Sequence, residues 1–151
     1  MTKGLWSAPG FLVVLCLASC TQVSSVPPSG RLPLPSKDEV ALVNGVPLTL
    51  VDFLDIRSIA PKLTPEKALW AGMASIALTS EAAQKKISLN KTQALTIARY
   101  ALQDLDEGQA KPQFYTLFPE TSSPSLVHQT LDDLLARSVV IKSSVNLSKL
   151  F

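Results

Sequence analysis

Val40-Ala41-Leu42-Val43-Asn44-Gly45-Val46-Pro47-Leu48-Thr49-Leu50-Val51-Asp52-Phe53 is the stretch that decides the fold. Val40 to Val43 is a short β-prone run. Asn44-Gly45 is the strongest short hairpin signal, because both residues tolerate positive φ. Val46-Pro47-Leu48 supplies the return arm, and Pro47, which has no N–H to give a ladder, keeps that arm short or on an edge. Thr49 can cap a helix, and Asp52 falls in the first turn, where the macrodipole favours a carboxylate. Leu50, Phe53, Leu54 and Ile56 give that helix an apolar face running to about Ala60, and Pro61 ends it.

The same grammar continues downstream. Thr64-Pro65-Glu66-Lys67 opens a second helix, with Thr64 as cap, Pro65 at the first helical position and Glu66 in the first turn. Leu69, Met73, Ile76, Ala77, Ala83 and Ile87 recur at helical spacing. Ala68, Ala71, Gly72, Ala74, Ala77 and Ala82 are small enough to let another helix approach closely. Asn90 caps a third helix and Gln93 completes a capping-box pattern. Leu95, Ala98, Leu102 and Leu105 line one face, and Gly108 is its expected stop. Residues 109–124 form a loop holding Phe114, Tyr115 and Phe118 between prolines; the rings either fold back as a lid on the core or stand out as a binding surface. Ser123-Pro124-Ser125 starts a fourth helix whose stripe is Val127, Leu131, Leu134, Leu135 and Ile141. The end, 144–151, alternates Val145, Leu147 and Leu150 with polar residues. It reads as a short strand closing on Val40-Val43 or as a frayed tail. The expected fold class is mainly α: a small four-helix domain with an N-terminal β-hairpin.

Composition bounds the function. The chain has 151 residues, 46% apolar and 17% charged, which excludes a generic disordered protein. A net charge of +2, with no basic cluster beyond Lys85-Lys86, argues against a nucleic-acid footprint. Two cysteines and one histidine leave little material for a metal site or a disulfide framework. Much of the hydrophobicity lies at the start. Lys3 gives a positive n-region, and Phe11 to Ala18 is an apolar run far short of the roughly 20 residues a bilayer span needs. A secretory signal fits this pattern. On the residues alone, Cys20 could be incidental to an ordinary cleaved signal.

Leu17-Ala18-Ser19-Cys20 resembles the lipobox of bacterial lipoproteins. The resemblance implies cleavage before Cys20, acylation of its thiol and new amino terminus, and a signal peptide over residues 1–19. Thr21, rather than Asp, after the cysteine implies sorting to the outer membrane, facing the periplasm. Several acyl chains on one cysteine would make a stable anchor, where one chain alone binds marginally. The mature chain would then carry no free thiol. Residues 20–36, with Pro27, Pro28, Pro33 and Pro35 among serines, read as a semi-rigid tether. At roughly 3 Å per residue, it would hold the domain, residues 37–151, up to ~50 Å from the lipid.

The opening stretch, from Val40 to Phe53, also resembles the start of the SurA/PpiD/PrsA-type chaperone domain. In that family a long helix follows and ends in a pattern matched here by Glu81-Ala82-Ala83-Gln84-Lys85-Lys86-Ile87-Ser88-Leu89-Asn90. The resemblance covers residues 38–107 well and 125–143 loosely. It departs at Lys86, where the family usually has glycine, and in the aromatic loop. No segment has the length or strand pattern of a parvulin-type isomerase domain, so isomerase activity is not implied.

The chemistry-bearing residues point away from catalysis. His128 is alone, and a metal needs partners. Asp132-Asp133 and Asp104-Asp106-Glu107 read as solvated helix faces, because adjacent helical residues diverge. The serines lack a base, and no glycine-rich phosphate loop is present. Asn90-Lys91-Thr92 and Asn146-Leu147-Ser148 match the glycosylation sequon, a match that the resemblance to a bacterial lipoprotein implies is chance. The expectation is therefore no enzyme, no catalytic or metal residues, no cofactor and no small-molecule substrate. The resemblance implies a periplasmic lipoprotein, held to the membrane through Cys20, that binds unfolded or partly folded envelope proteins. The candidate groove residues are Leu69, Met73 and Ile76, with Phe114, Tyr115 and Phe118 as a mobile lip; ordinary core is the alternative for the first three. A scaffold or accessory subunit of one envelope complex is the rival function.

Overall fold

The computed structural model describes residues 34–105, 117–119 and 123–150. Strand β1 (Glu39–Val43) and strand β2 (Val46–Thr49) form the hairpin expected from Asn44-Gly45. Asn44 and Gly45 have φ of 50° and 81°, the paired positive values of a two-residue type I′ turn. Four helices follow: α1 (Leu50–Ile59), α2 (Pro65–Gln84), α3 (Lys91–Ala101) and α4 (Pro124–Arg137). Strand β3 (Val140–Lys142) then pairs antiparallel with β1, giving sheet order β2-β1-β3. The architecture is the mainly α domain with an N-terminal hairpin that the sequence leads one to expect. Among the described residues no helix is long and apolar enough to cross a membrane.

Local chemistry sets the helix starts. Thr49 accepts from the Asp52 N–H while the Asp52 carboxylate accepts from the Thr49 N–H, a complete capping box. Asn90 and Gln93 do the same for α3. Thr64 caps α2, with Pro65 at its first position.

The helix ends depart from expectation in an instructive way. Helix α2 closes with Lys86 at φ 57°, with its N–H on Ala83 O and the Ile87 N–H on Ala82 O. That is a Schellman motif with lysine in the left-handed position. Helix α3 stops the same way at Gln103 (φ 58°), with bonds from Gln103 N to Tyr100 O and from Asp104 N to Arg99 O. Arg99 Nη2 clamps the Asp104 carboxylate at 2.8 Å. The helix therefore ends before Leu105, and Gly108 lies outside the described residues.

The closing strand also differs from the sequence reading. It is Val140–Lys142, not 144–151, and Ile141 belongs to it rather than to the α4 stripe. Val139, Val140 and Ile141 are consecutive β-branched residues, which favour extended backbone. The tail carries a 3₁₀ turn, Leu147–Lys149, capped by the Asn146 side chain.

Helix α2 is the spine. It touches the other three helices and both hairpin strands. Ala68, Ala71, Gly72, Ala74, Ala77 and Ala82 are all buried along it. Their small side chains permit the close approach that places Phe53, Leu48, Leu78, Ile97 and Leu131 in one core, each less than 2% exposed. Helix α1 buries Phe53 and Ile56, but Leu54 lies with Val51 and Ile59 on its exposed side.

Among the described residues the sheet has two free edges, and backbone alternation shows what each presents. The hairpin turn makes Val43 and Val46 a hydrogen-bonded pair, so Pro47 faces away from β1. Asn44 N–H donates to Val139 O and Ser143 N–H to Val40 O, so the hydrogen-bonded residue of β3 is Ile141. Val140 and Lys142 therefore turn their N–H and C=O groups outward.

Candidate binding clefts beside strand β3

The first turns of α2 face the end of the sheet. Between them and the tail lies a cleft of about 620 Å³, lined by Val40, Thr64, Leu69, Lys142, Val145 and Leu147. On the other side of Lys142, a second hollow of about 310 Å³ lies between α2, α4 and β3, lined by Trp70, Met73, Asp132, Leu135 and Val140. Both are open and mostly apolar, with Lys142 shared at their rim. Lys142 is exposed and has no ion-pair partner among the described residues.

One side-chain cluster fixes the wall of the smaller hollow. The Trp70 indole stacks on the His128 imidazole, with centroids 4.6 Å apart and planes 7° from parallel. Asp132 holds both rings: Trp70 Nε1 donates to its Oδ1 at 2.8 Å, and His128 Nδ1 lies 2.9 Å from its Oδ2. The carboxylate thus ties α2 to α4 and keeps Trp70 in one orientation, half-buried, with an apolar body and a satisfied N–H. No group of three or more His, Cys, Asp or Glu able to hold a metal converges among the described residues.

The candidate groove residues fall in different places. Leu69 lines the larger cleft, half-buried, and Met73 the smaller, 6% exposed. Ile76, 8% exposed, lies in a third hollow of about 180 Å³ with Val46, Pro47 and Lys91. Leu69 and Ile76 share a helix face, but seven residues span about 10.5 Å of axis. They reach opposite ends of the sheet and do not meet in one groove. Phe118 packs partly buried on the core with the Lys85 ammonium 4.6 Å from its ring centroid, and neighbouring Leu117 is buried. Phe114 and Tyr115 lie outside the described residues, as does Cys20.

Sequence reasoning passed over Trp70 and read Asp132 as solvated. The one local signal was the four-residue step from His128 to Asp132, which places the two on one face of α4. No family model, curated protein or solved structure matches the chain.

Proposed function

We propose that the chain is a lipid-anchored envelope protein whose helical domain binds unfolded or partly folded polypeptides without catalysing a reaction on them. The observation that carries this reading is the pair of open apolar clefts on either side of Lys142, walled by Leu69, Trp70 and Met73. Methionine adapts its shape, and a held indole offers a broad apolar face, a combination suited to varied segments rather than one fixed ligand. The lipobox-like Leu17-Ala18-Ser19-Cys20 and the proline-rich tether support attachment at the periplasmic face of the outer membrane.

Suppression of aggregation tests the binding. A denatured outer-membrane protein diluted into buffer should stay soluble with the chain in several-fold excess, and Trp70→Ala should weaken that protection. No protection by the wild-type chain refutes the reading. For the anchor, Cys20→Ala should move the protein from the membrane to the soluble fraction; a variant that stays in the membrane refutes lipidation.

A second reading rests on α1. Its exposed side carries Val51 at 67%, Leu54 at 41% and Ile59 at 57% exposure. Apolar residues grouped on one helix face favour a fixed partner, as in a scaffold subunit of one envelope complex. Co-purification of a single stoichiometric protein, lost on Leu54→Glu, would support it.

A further inference from the structure

The two edges of the sheet are not equivalent. On β2 the outward positions are Pro47 and Thr49. Pro47 has no N–H, and the Thr49 N–H is taken by the Asp52 carboxylate at 3.2 Å. That edge offers no free donor, which is how natural sheets blunt an edge. On β3 the outward positions are Val140 and Lys142; no proline stands there, and no other strand pairs with them among the described residues. After Lys142, Val145 and Leu147 of the tail line the larger cleft.

We propose that β3 is the docking edge for an extended polypeptide segment, which adds a fourth strand antiparallel to Val140–Lys142. This deepens the polypeptide-binding reading above and rests on it. Outward N–H and C=O groups two residues apart are matched only by another extended backbone. The residues of the added strand opposite Val140 and Lys142 share their face of the sheet, because directly paired residues point to the same side. That face holds the hollow of about 310 Å³. An apolar side chain opposite Val140 therefore enters beside Trp70, Met73 and Leu135, and an acidic one opposite Lys142 meets an ammonium that has no ion-pair partner among the described residues. Asp132 lines the same hollow but makes no ion pair with Lys142; its oxygens accept from Trp70 and lie beside His128. The occupant is thus a segment reading acidic-x-apolar in extended form. A second copy fits worse. Two-fold pairing about Ile141 would set two Lys142 side chains on one face without a counter-charge, and edge lysines oppose such self-pairing.

The test uses the full chain in lipid nanodiscs and a fluorescein-labelled peptide, acetyl-Thr-Thr-Glu-Thr-Leu-Thr-Thr amide, followed by anisotropy. Its counterpart carries N-methyl groups on the Glu and Leu nitrogens, which keeps the side chains and removes the donors facing β3. The chain variant is Val140→Pro, which deletes an outward N–H and leaves the ladder to β1 intact. The parent peptide should bind, and either change should weaken it at least tenfold. The N-methyl peptide probes the same backbone hydrogen bonds even where the variant folds poorly. Equal binding by both peptides, or no binding of the parent, overturns the edge. A dimer of the free chain that Val140→Pro dissolves overturns it in favour of self-pairing. Aggregation suppression separates the two claims. If Val140→Pro protects as well as wild type, the edge fails and the cleft reading stands; if wild type itself gives no protection, the function fails and the edge falls with it.

Discussion

Gly72→Ala should destabilise the fold, against the usual gain for removing a helix glycine. In an exposed helix interior the change contributes about 1 kcal/mol of stability through backbone entropy. At Gly72 a Cβ would stand 2.8 Å from Leu48 Cδ2, 3.0 Å from Leu48 Cδ1 and 3.1 Å from Ile56 Cδ1. A flexible side-chain end could yield on a surface, but Leu48 is fully buried and Ile56 is 3% exposed, so neither has space to withdraw into. Overpacking of this kind costs about 1–3 kcal/mol. The balance is a net loss of about 1 kcal/mol. Urea unfolding of residues 37–151 measures it, with Trp70 as the one tryptophan of that segment. A double-mutant cycle isolates the cause. Leu48→Ala alone should cost about 2–5 kcal/mol. In that background the two closest contacts disappear, and Gly72→Ala should become neutral or stabilising. A stabilising Gly72→Ala in the wild-type background, or the same effect in both backgrounds, would refute the argument that α2 lies on the hairpin at glycine distance.

Two further perturbations bear on the caps. Lys86 occupies the left-handed end of α2 at φ 57°, a conformation that costs a non-glycine residue about 1 kcal/mol, so Lys86→Gly should raise stability by about that much, while Lys85→Gly, at φ −82°, should lower it; urea midpoints of the two variants decide. At Asp52, burial pushes the carboxyl pKa up, but hydrogen bonds from Lys91 and Thr49 and the Lys91 charge outweigh it, and the net pKa lies below the ordinary value. A lowered folded-state pKa contributes stability above the unfolded carboxylate range and loses it as pH falls through the folded value. Asp52→Ala should therefore cost about 1 kcal/mol at pH 7, with the difference shrinking below about pH 4. An Asp52→Ala penalty that is constant from pH 7 to pH 3 would contradict this.

The features legible in the sequence were those decided within four residues. Thr49 and Asp52, Asn90 and Gln93, and Asn44-Gly45 each specify their own geometry, so both capping boxes and the hairpin turn lie where the residue types put them. The helix stops were less legible because the left-handed position needs no glycine when the following residue is anchored. Ile87 packs on the core after Lys86, and Asp104 is held by Arg99 after Gln103. Core packing in the first case and a local ion pair in the second outweigh a cost of about 1 kcal/mol. Ile141 falls in helical phase with Leu134, so periodicity alone assigns it to α4. What decides otherwise is β1, ninety-odd residues earlier, whose free Val40 and Leu42 backbone groups require a partner strand.

The same division explains the candidate site. Leu69, Met73 and Ile76 follow from periodicity, which gives a face but not what covers it. The sheet lies across that face, and its ends separate Leu69 from Ile76. Trp70 and Asp132 are 62 residues apart and meet only because α2 and α4 pack together. Pro47 shows the limit most clearly. Read locally, it marks β2 as an edge. Only the alternation of the three-stranded sheet shows that its missing N–H points outward, and only the Thr49–Asp52 capping box closes the next donor on that side. One device that starts α1 therefore also seals an edge, and among the described residues the sheet keeps one open side, next to the held indole and a lysine with no ion-pair partner there.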